Sequence, residues 1–292
     1  MANVQIQRVR SFNRTVTQTI GVLQDDYLGR HRPLGESRLL FEIGQEGATA
    51  NALRARLNLD SGYLSRLLRS LESQRLVQTE PSAGDRRVRM VTLTSAGLAE
   101  LDALNRNSDS VAQSILAPLN EKQRTKLLAA MTEVERLLTA SAVRIEDVLP
   151  GGADARFCLE RYFEELDERF EGGFDPSQSL APTHGEFVPP RGGFVVMRLH
   201  GELIGCGGFK PITGAAYIKR MWVARAARGL GLGRRLLHEL EARARLAGYQ
   251  MARLETQRSL TEAQQLYHSS GYREIEPFND EAYAHHWFEK PL

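Results

Sequence analysis

Apolar side chains near the start of the chain fall on a helical repeat. Ile6, Val9, Val16, Ile20, Leu23 and Tyr27 form two interleaved seven-residue series, with Asn13 interrupting one of them, and predict a helix with one apolar face over the first thirty residues. Residues 121–138 repeat the pattern with Leu127, Met131, Val134 and Leu138. Heptad spacing fits pairing with a second chain, and it equally fits an amphipathic helix packed on its own core.

Between these stripes lies ATANALRARLNLDSGYLSRLLRSLESQRLV. A short helix is predicted over Thr49 to Leu57, and Asp60 is a good N-cap for a second one. In the second helix Leu64, Leu67, Leu68 and Leu71 form the inward stripe, while Ser61, Gly62, Ser65, Arg66 and Arg69 lie opposite. Small and basic groups on one helix face suit base edges and phosphates in a major groove, although many helical hairpins with outward arginines never meet DNA. Leu76 to Glu80 and Val88 to Leu93 then read as two strands joined by PSAGDRR, a turn-forming stretch. Its tip carries Arg86 and Arg87, with Arg89 just behind. A helix pair followed by a basic hairpin is a winged helix-turn-helix pattern, in which a wing arginine enters the minor groove.

The periodicity changes near Ala140 to Arg144. AVRIEDV alternates as a strand, LPGGAD is a turn, and ARFCLERYFEELDERF reads as a helix. GGFVVMRL, LIGCGGFK and AAYIKRMWVA then alternate as consecutive antiparallel strands. RGLGLG, a helix, the strand MARLETQ, the helix SLTEAQQLYHSSG and a strand near HHWFEK complete a mixed α/β domain. No internal repeat or low-complexity segment is visible. The expected domains are residues 1–141 and 142–292.

Composition narrows the function classes. A chain of 292 residues with 42% hydrophobic and 25% charged side chains is of ordinary globular make-up and long enough for about two domains. There is no opening basic-then-apolar segment, and no apolar run nears the roughly 18 residues that span a bilayer, so the expectation is a cytoplasmic protein without a membrane partner. Cys158 and Cys206 are the two cysteines, which offers neither a disulfide framework nor a zinc cluster, and no metal is expected. Residues 1–140 carry 19 Lys and Arg against 15 Asp and Glu, and the remainder 19 against 21. The first half is therefore mildly basic, which is compatible with nucleic acid and also with a solvated helix face.

DSGYLSRLLRSLESQRLV and the wing DRR, with Asp85 and Arg87 in an Asp-x-Arg pattern, resemble the MarR family of transcriptional regulators over roughly residues 1–140. The resemblance implies a homodimer built through the terminal helices of this half, reading a pseudo-palindromic double-stranded operator. The DNA contacts it implies are Ser61, Ser65, Arg66, Arg69, Arg86, Arg87 and Arg89. Arg75 departs from the family, where the recognition helix usually ends in glycine. A left-handed cap is harder for arginine, so a reshaped helix end is expected. This half contains no cysteine, which excludes thiol-based sensing within it.

In RGLGLG, Arg234 stands where a dinucleotide fingerprint needs its third glycine, and the Gly-Lys-Ser/Thr ending of a P-loop is absent. What remains is Arg228-x-x-Gly231-x-Gly233 between a strand and a helix, a turn that offers backbone N–H groups and a positive helix end to an anion such as a diphosphate. The order of strand YIKRMWVA, turn, helix, strand RLETQ and then AQQLYHSSGY, Ala263 to Tyr272, resembles the GNAT superfamily of acetyl-CoA-dependent N-acetyltransferases over about residues 142–292. The resemblance implies that Arg228, Gly229, Leu230, Gly231, Leu232, Gly233 and Arg234 hold the pyrophosphate of acetyl-CoA. Met221, Trp222 and Val223 would meet its pantetheine arm and the oxyanion, and Tyr267 would protonate the departing thiolate. Relatives fused to MarR domains commonly read E-I-K-R-M before the turn, whereas Tyr217 precedes Ile218 here. A carboxylate is thus missing, and Glu255 on the next strand or a water chain is expected to act as base. Packing or solvent roles are expected for His285 and His286.

Together these patterns suggest a two-domain fusion, a mainly α winged helix-turn-helix followed by a mixed α/β acetyltransferase fold. Transfer of acetyl from acetyl-CoA to an amine by a DNA-bound enzyme is one reading. In a second, the GNAT-like domain only senses acyl-CoA for a DNA-binding regulator. In a third, the winged domain keeps only a dimer-forming role. The acceptor cleft is expected from loops such as Asp175 to Gly193.

Overall fold

The computed structural model describes residues 3–21, 27–30, 32–81, 88–178 and 187–292. They divide into two compact units, Met1–Thr132 and Glu133–Leu292.

The first unit opens with helix α1 (Asn3–Thr19), which has no buried residue. The apolar stripe predicts a helix that continues to residue 27, but Gly21 at φ 72 follows its end and Tyr27 lies in a short 3-10 turn, Tyr27–Gly29. A glycine in the left-handed region ends the helical path. Helices α2 (Leu34–Ile43), α3 (Ala50–Leu57) and α4 (Ser61–Ser73) then enclose a core with Leu39, Leu40, Leu53, Leu64 and Leu71. Thr49 caps α3 by accepting the Ala52 N–H, and Asp60 caps α4 by accepting the Tyr63 N–H at 2.8 Å, as expected of these residue types. Leu68, expected inward, is half-buried. Strands β1 (Ala48–Thr49), β2 (Val77–Pro81) and β3 (Arg89–Leu93) form an antiparallel sheet in the order β1-β3-β2. Two long helices follow, α5 (Ser95–Leu116) and α6 (Glu121–Ala142).

Arg75 gives a correction. The α4 end is not reshaped: Arg75 takes φ 57, its N–H donates to the Glu72 carbonyl, and the Leu76 N–H donates to the Leu71 carbonyl at 3.0 Å. That paired bonding is the Schellman closure usually given to glycine. Arginine accepts the left-handed backbone here because the following residue, Leu76, is buried in the core and fixes the chain path.

The second unit is a seven-stranded sheet. Its strands are β4 (Arg144–Asp147), β5 (Gly193–Leu199), β6 (Glu202–Ile212), β7 (Ala215–Val223), β8 (Met251–Thr256), β9 (Arg273–Ile275) and β10 (His286–Pro291), in the order β4-β5-β6-β7-β8-β10-β9. All neighbours are antiparallel except β7 and β8, which run parallel. Helix α8 (Leu232–Leu246) makes that parallel crossover and buries Leu232, Leu236, Leu237 and Leu240 against the sheet. Helices α7 (Ala153–Arg169) and α9 (Thr261–Ser269) complete the unit.

Two features of β7 shape the site. Gly205 to Gly208 of β6 pair with Val223 to Lys219 such that Arg220 and Met221 together oppose Gly207. This is a β-bulge, with Arg220 at φ 60, and a bulge bends the strand and re-aims its side chains. The parallel pairing with β8 is confined to Ala216 with Ala252 and Tyr217 with Arg253. Beyond Tyr217 the two strands separate. No helix among the described residues is long and apolar enough to cross a membrane.

Candidate active site

The turn that follows β7 is built to leave backbone donors open. Gly229 and Gly231 have φ 79 and 73, and a Cβ at either would meet nothing within 4 Å. Gly231 is the N-cap of α8 and no side chain caps the helix. Among the described residues, the N–H groups of Gly229, Leu230 and Gly231 reach no protein acceptor. Free first-turn amides and a helix N-terminus attract an anion. Gly229 and Gly231 border a cleft of 520 Å³ that Met221, Trp222, Val223, Arg228, Gly233 and Arg234 also line. Leu232 lines it too while its side chain is fully buried. Leu230 packs on the core beside it. The cradle therefore fits the diphosphate of an acyl-CoA.

The arginines of the turn are tied into the protein. Arg228 Nη2 lies 2.5 Å from Glu165 Oε1 and 2.6 Å from Oε2, and its Nε donates to the Val223 carbonyl at 3.0 Å. Trp222 Nε1 donates to Glu165 Oε2 at 3.1 Å. Burial pushes the Glu165 carboxyl up, but the Arg228 guanidinium, Trp222 and Arg169 outweigh it and hold the group below the usual carboxylate range. Arg234 bonds Ser269 at both its carbonyl and its Oγ, which joins the start of α8 to the end of α9. Arg136 Nη1 donates to the Gly229 carbonyl at 3.0 Å. The turn is held from three sides with its amides outward.

Tyr267 stands at the junction of this cleft with a smaller cavity. It is 7% exposed and packs 5.6 Å from the Phe288 ring and 6.0 Å from Tyr272. Its hydroxyl has no hydrogen-bond partner among the described residues, and the side chain lines both spaces. Burial holds its phenol protonated well above the usual tyrosine range. Arg169 of α7 clasps Glu262 and the Ser259 carbonyl at the start of α9, fixing the helix that carries Tyr267.

The smaller cavity, 100 Å³ in volume, has an aromatic side formed by Tyr162, Phe170, Phe174 and Tyr283 and a charged side formed by Lys219, Arg220, Glu255 and Glu281. Phe174 lies 4.8 Å from Tyr283 and 5.5 Å from Phe163. Lys219 Nζ is 3.2 Å from Glu255 Oε1 and 2.5 Å from Glu281 Oε2. Glu255 Oε2 and Glu281 Oε1 are buried without a partner among the described residues. Burial raises the Glu255 carboxyl, and the opposing effects of Lys219 and the Tyr217 hydroxyl leave it above the usual range. Tyr217 is 1% exposed and accepts from Asn279 Nδ2 at 2.7 Å.

Tyr267, Glu255 and the RGLGLG turn, far apart in sequence, thus border two joined spaces. Neither His285 nor His286 lines them, and His286 Nδ1 instead meets Glu274 Oε1 at 2.7 Å. Sequence reasoning missed Glu165, Glu281, Arg220 and the aromatic wall. Tyr162 and Leu166 of α7 and its C-cap Phe170 have the i, i+4, i+8 spacing of a packing stripe, and nothing local distinguishes a wall of a cavity from a core face. Both cysteines are buried thiols. Among the described residues no group of three His, Cys, Asp or Glu side chains is suited to a metal ion.

In the first unit Ser61, Ser65, Arg66 and Arg69 are exposed on α4, as is Arg89 at the start of β3. Arg69 Nε bonds the Ser65 carbonyl at 3.2 Å and Arg66 stacks 5.6 Å over Tyr63. Arg86 and Arg87 lie outside the described residues, as does Asp85.

Residues 159–272 match the acetyltransferase (GNAT) family and residues 30–88 the MarR family. An uncharacterised N-acetyltransferase of Schizosaccharomyces pombe is 31% identical over 146 residues, 48% of this chain and 86% of that protein. The IAA acetyltransferase of Azospirillum brasilense is 36% identical over 124 residues, 41% of this chain and 80% of that one. A mutant MarR from E. coli, solved with operator DNA, is similar at 22% identity and a TM-score of 0.39, over 45% of this chain and 96% of its own. The chain belongs to the acetyltransferase (GNAT) family through its second unit, and its first unit carries a MarR-family segment.

Proposed function

We propose that residues 142–292 transfer an acetyl group from acetyl-CoA to an amine, and that residues 1–141 form a homodimer that binds a pseudo-palindromic DNA duplex in the cytoplasm. The observation that carries the enzymatic reading is Tyr267, which lines both the cleft beside the glycine turn and the cavity that contains Glu255 and whose hydroxyl has no partner among the described residues. Acetyl-CoA supplies an acyl group activated as a thioester. Amides from Gly229 to Arg234 hold the diphosphate, and the β7 edge over Met221, Trp222 and Val223, open where β8 diverges, pairs with the pantetheine arm and supports the oxyanion. Glu255 takes the proton of the attacking amine and Tyr267 gives one to sulfur, so the proton count closes. A raised carboxyl suits a base working near neutrality.

The DNA-binding reading is supported by the MarR-family match and by the exposed row Ser61, Ser65, Arg66 and Arg69. Arg86, Arg87 and Arg89 complete it as the wing. Dimerisation is supported by exposed apolar side chains on both terminal helices, Ile6, Val9, Met131 and Leu138 among them.

A second reading, acyl-CoA sensing without turnover, is favoured by one observation. Lys219 already engages both Glu255 and Glu281, and Tyr217 adds no carboxylate. A thiol-release assay with acetyl-CoA against amines, amino acids and lysine peptides separates the two. Turnover with any acceptor supports the enzyme, and tight acetyl-CoA binding without turnover supports the sensor. For the first unit, selection from a random duplex library yields an enriched palindromic motif whose binding weakens steeply with salt, and no enrichment contradicts DNA reading.

A further inference from the structure

Arg220 is the charged group in the acceptor cavity that the chemistry above leaves unused. It is 6% exposed and its guanidinium lies 4.9 Å from the Phe163 ring centre. Among the described residues that guanidinium meets no carboxylate, carbonyl or hydroxyl. A guanidinium keeps its proton in any protein environment and presents five N–H donors. Stacking on Phe163 satisfies its flat face and leaves the donor edge unsatisfied. The two carboxylates in the same cavity wall share Lys219, so the wall's two cations and two carboxylates balance in number, and Arg220 is the cation of that wall with no carboxylate in direct contact.

The backbone gives a second, independent observation. Arg220 occupies the left-handed region at φ 60, where a residue other than glycine is strained. It does so in the bulge shared with Met221 opposite Gly207. Strain of this kind persists where the surrounding fold over-determines it, and a bulge turns a side chain toward a site. Here it gives Arg220 to the cavity lined by Tyr267 and Glu255.

We infer that the acetyl acceptor is an amine that also bears a carboxylate, an amino acid by class, and that Arg220 receives this carboxylate. The inference rests on the acetyl-transfer reading and specifies its substrate. A carboxylate matches the guanidinium fork with two parallel hydrogen bonds. The cavity, 100 Å³ in volume, has room for a single small amine. The aromatic wall of Phe170, Phe174 and Tyr283 lies beside the remaining side chain of such an acceptor. With the carboxylate on Arg220, the amine faces the Glu255 and Tyr267 side of the same space. A site built to pair with an anion rejects analogues that lack it, because its buried donors are then left unpaired.

The test is calorimetric titration of the full-length protein saturated with CoA, using matched sets of L-amino acids, their carboxamides, their decarboxylated amines and aminoalkylphosphonates. At least one amino acid binds tenfold or more tightly than its carboxamide and its decarboxylated amine. Arg220→Asn, a residue that tolerates a left-handed backbone, weakens that amino acid by about 10² and removes the preference. Retained CoA affinity and an unchanged unfolding temperature show that the variant is folded. Arg220→Lys, which keeps the charge and loses the fork, falls between the two. Equal binding of acid and carboxamide, preference for the phosphonate, absence of any amino acid binding, or a preference that survives in Arg220→Asn overturns the inference. Because the titration needs no turnover, a protein that binds amino acids selectively but acetylates nothing overturns the transfer reading alone.

Discussion

Arg228 and Glu165 form a bidentate pair at the rim of the candidate cofactor cleft, with Nη2 2.5 Å and 2.6 Å from the two carboxylate oxygens. The family resemblance implies that Arg228 holds the diphosphate, yet its guanidinium already has a carboxylate and the Val223 carbonyl. Its charge offsets a half-buried anion beside the cleft, and in the proposed reading the diphosphate contact falls to the glycine-turn amides. Arg228→Ala then leaves Glu165 charged with only Trp222 and Arg169 as partners, and acetyl-CoA affinity falls by about 10 to 10². Adding Glu165→Gln removes the stranded charge and recovers part of the loss. A double-mutant cycle of dissociation constants reads this coupling, and strictly additive effects contradict it.

Gly231 tests the cradle itself. A Cβ there meets no heavy atom within 4 Å, so in the proposed reading a side chain fills space otherwise open to the diphosphate. Gly231→Val lowers acetyl-CoA affinity by at least 10² by equilibrium binding, while the backbone at φ 73 adds a strain of about 1–2 kcal/mol. Undiminished binding shows that the diphosphate lies elsewhere.

With Glu255 as the proposed base, turnover has a pH dependence of known sign. Its carboxyl is raised in the folded protein, with burial as the leading cause, and only the ionised form accepts a proton. The rate therefore rises with pH through a value above the ordinary glutamate range of about 4.3. Glu255→Gln removes this acid limb and slows turnover by about two orders of magnitude. A profile of kcat/KM against pH that keeps the same limb in the variant assigns the base to another group.

Arg75 makes a prediction about stability in the first unit. Its left-handed conformation at the end of α4 costs about 1 kcal/mol more than glycine in that position, partly offset by the greater freedom of glycine in the unfolded chain. Arg75→Gly slows hydrogen exchange of the α4 core amides in the full-length chain by up to about fivefold. Faster exchange shows that the arginine side chain contributes more than its backbone costs.

Much of this architecture is legible in the sequence because it is written in local periodicity. Asp60 announces the start of α4, and GGFVVMRL, LIGCGGFK and AAYIKRMWVA form the three strands expected, although their burial runs continuously and does not alternate. The two-residue strand β1 and three-residue strand β9 escape notice because so few residues carry no period. The end of α1 is misplaced by the sequence pattern since the apolar series continues past Gly21, where backbone freedom decides the path. RGLGLG and Tyr267 stand out through short-range spacing. Glu165, Glu281 and Arg220 do not, because their significance comes from partners 57 to 63 residues away, as in Trp222 with Glu165, Arg228 with Glu165 and Lys219 with Glu281, or from having none.

The most direct test of acetyl transfer is a comparison of Tyr267→Phe with the parent, measuring thiol release from acetyl-CoA with the best acceptor and acetyl-CoA affinity in parallel. The hydroxyl matters only when a thiolate leaves, and removing it opens no large space in the core that the ring occupies. The variant is expected to turn over more slowly by a factor of about 10² to 10⁴, with acetyl-CoA affinity within about threefold of the parent. A phenylalanine variant that turns over as fast as the parent contradicts the assignment of Tyr267 as the acid, and a parent that binds acetyl-CoA but releases no thiol with any acceptor contradicts acetyl transfer itself.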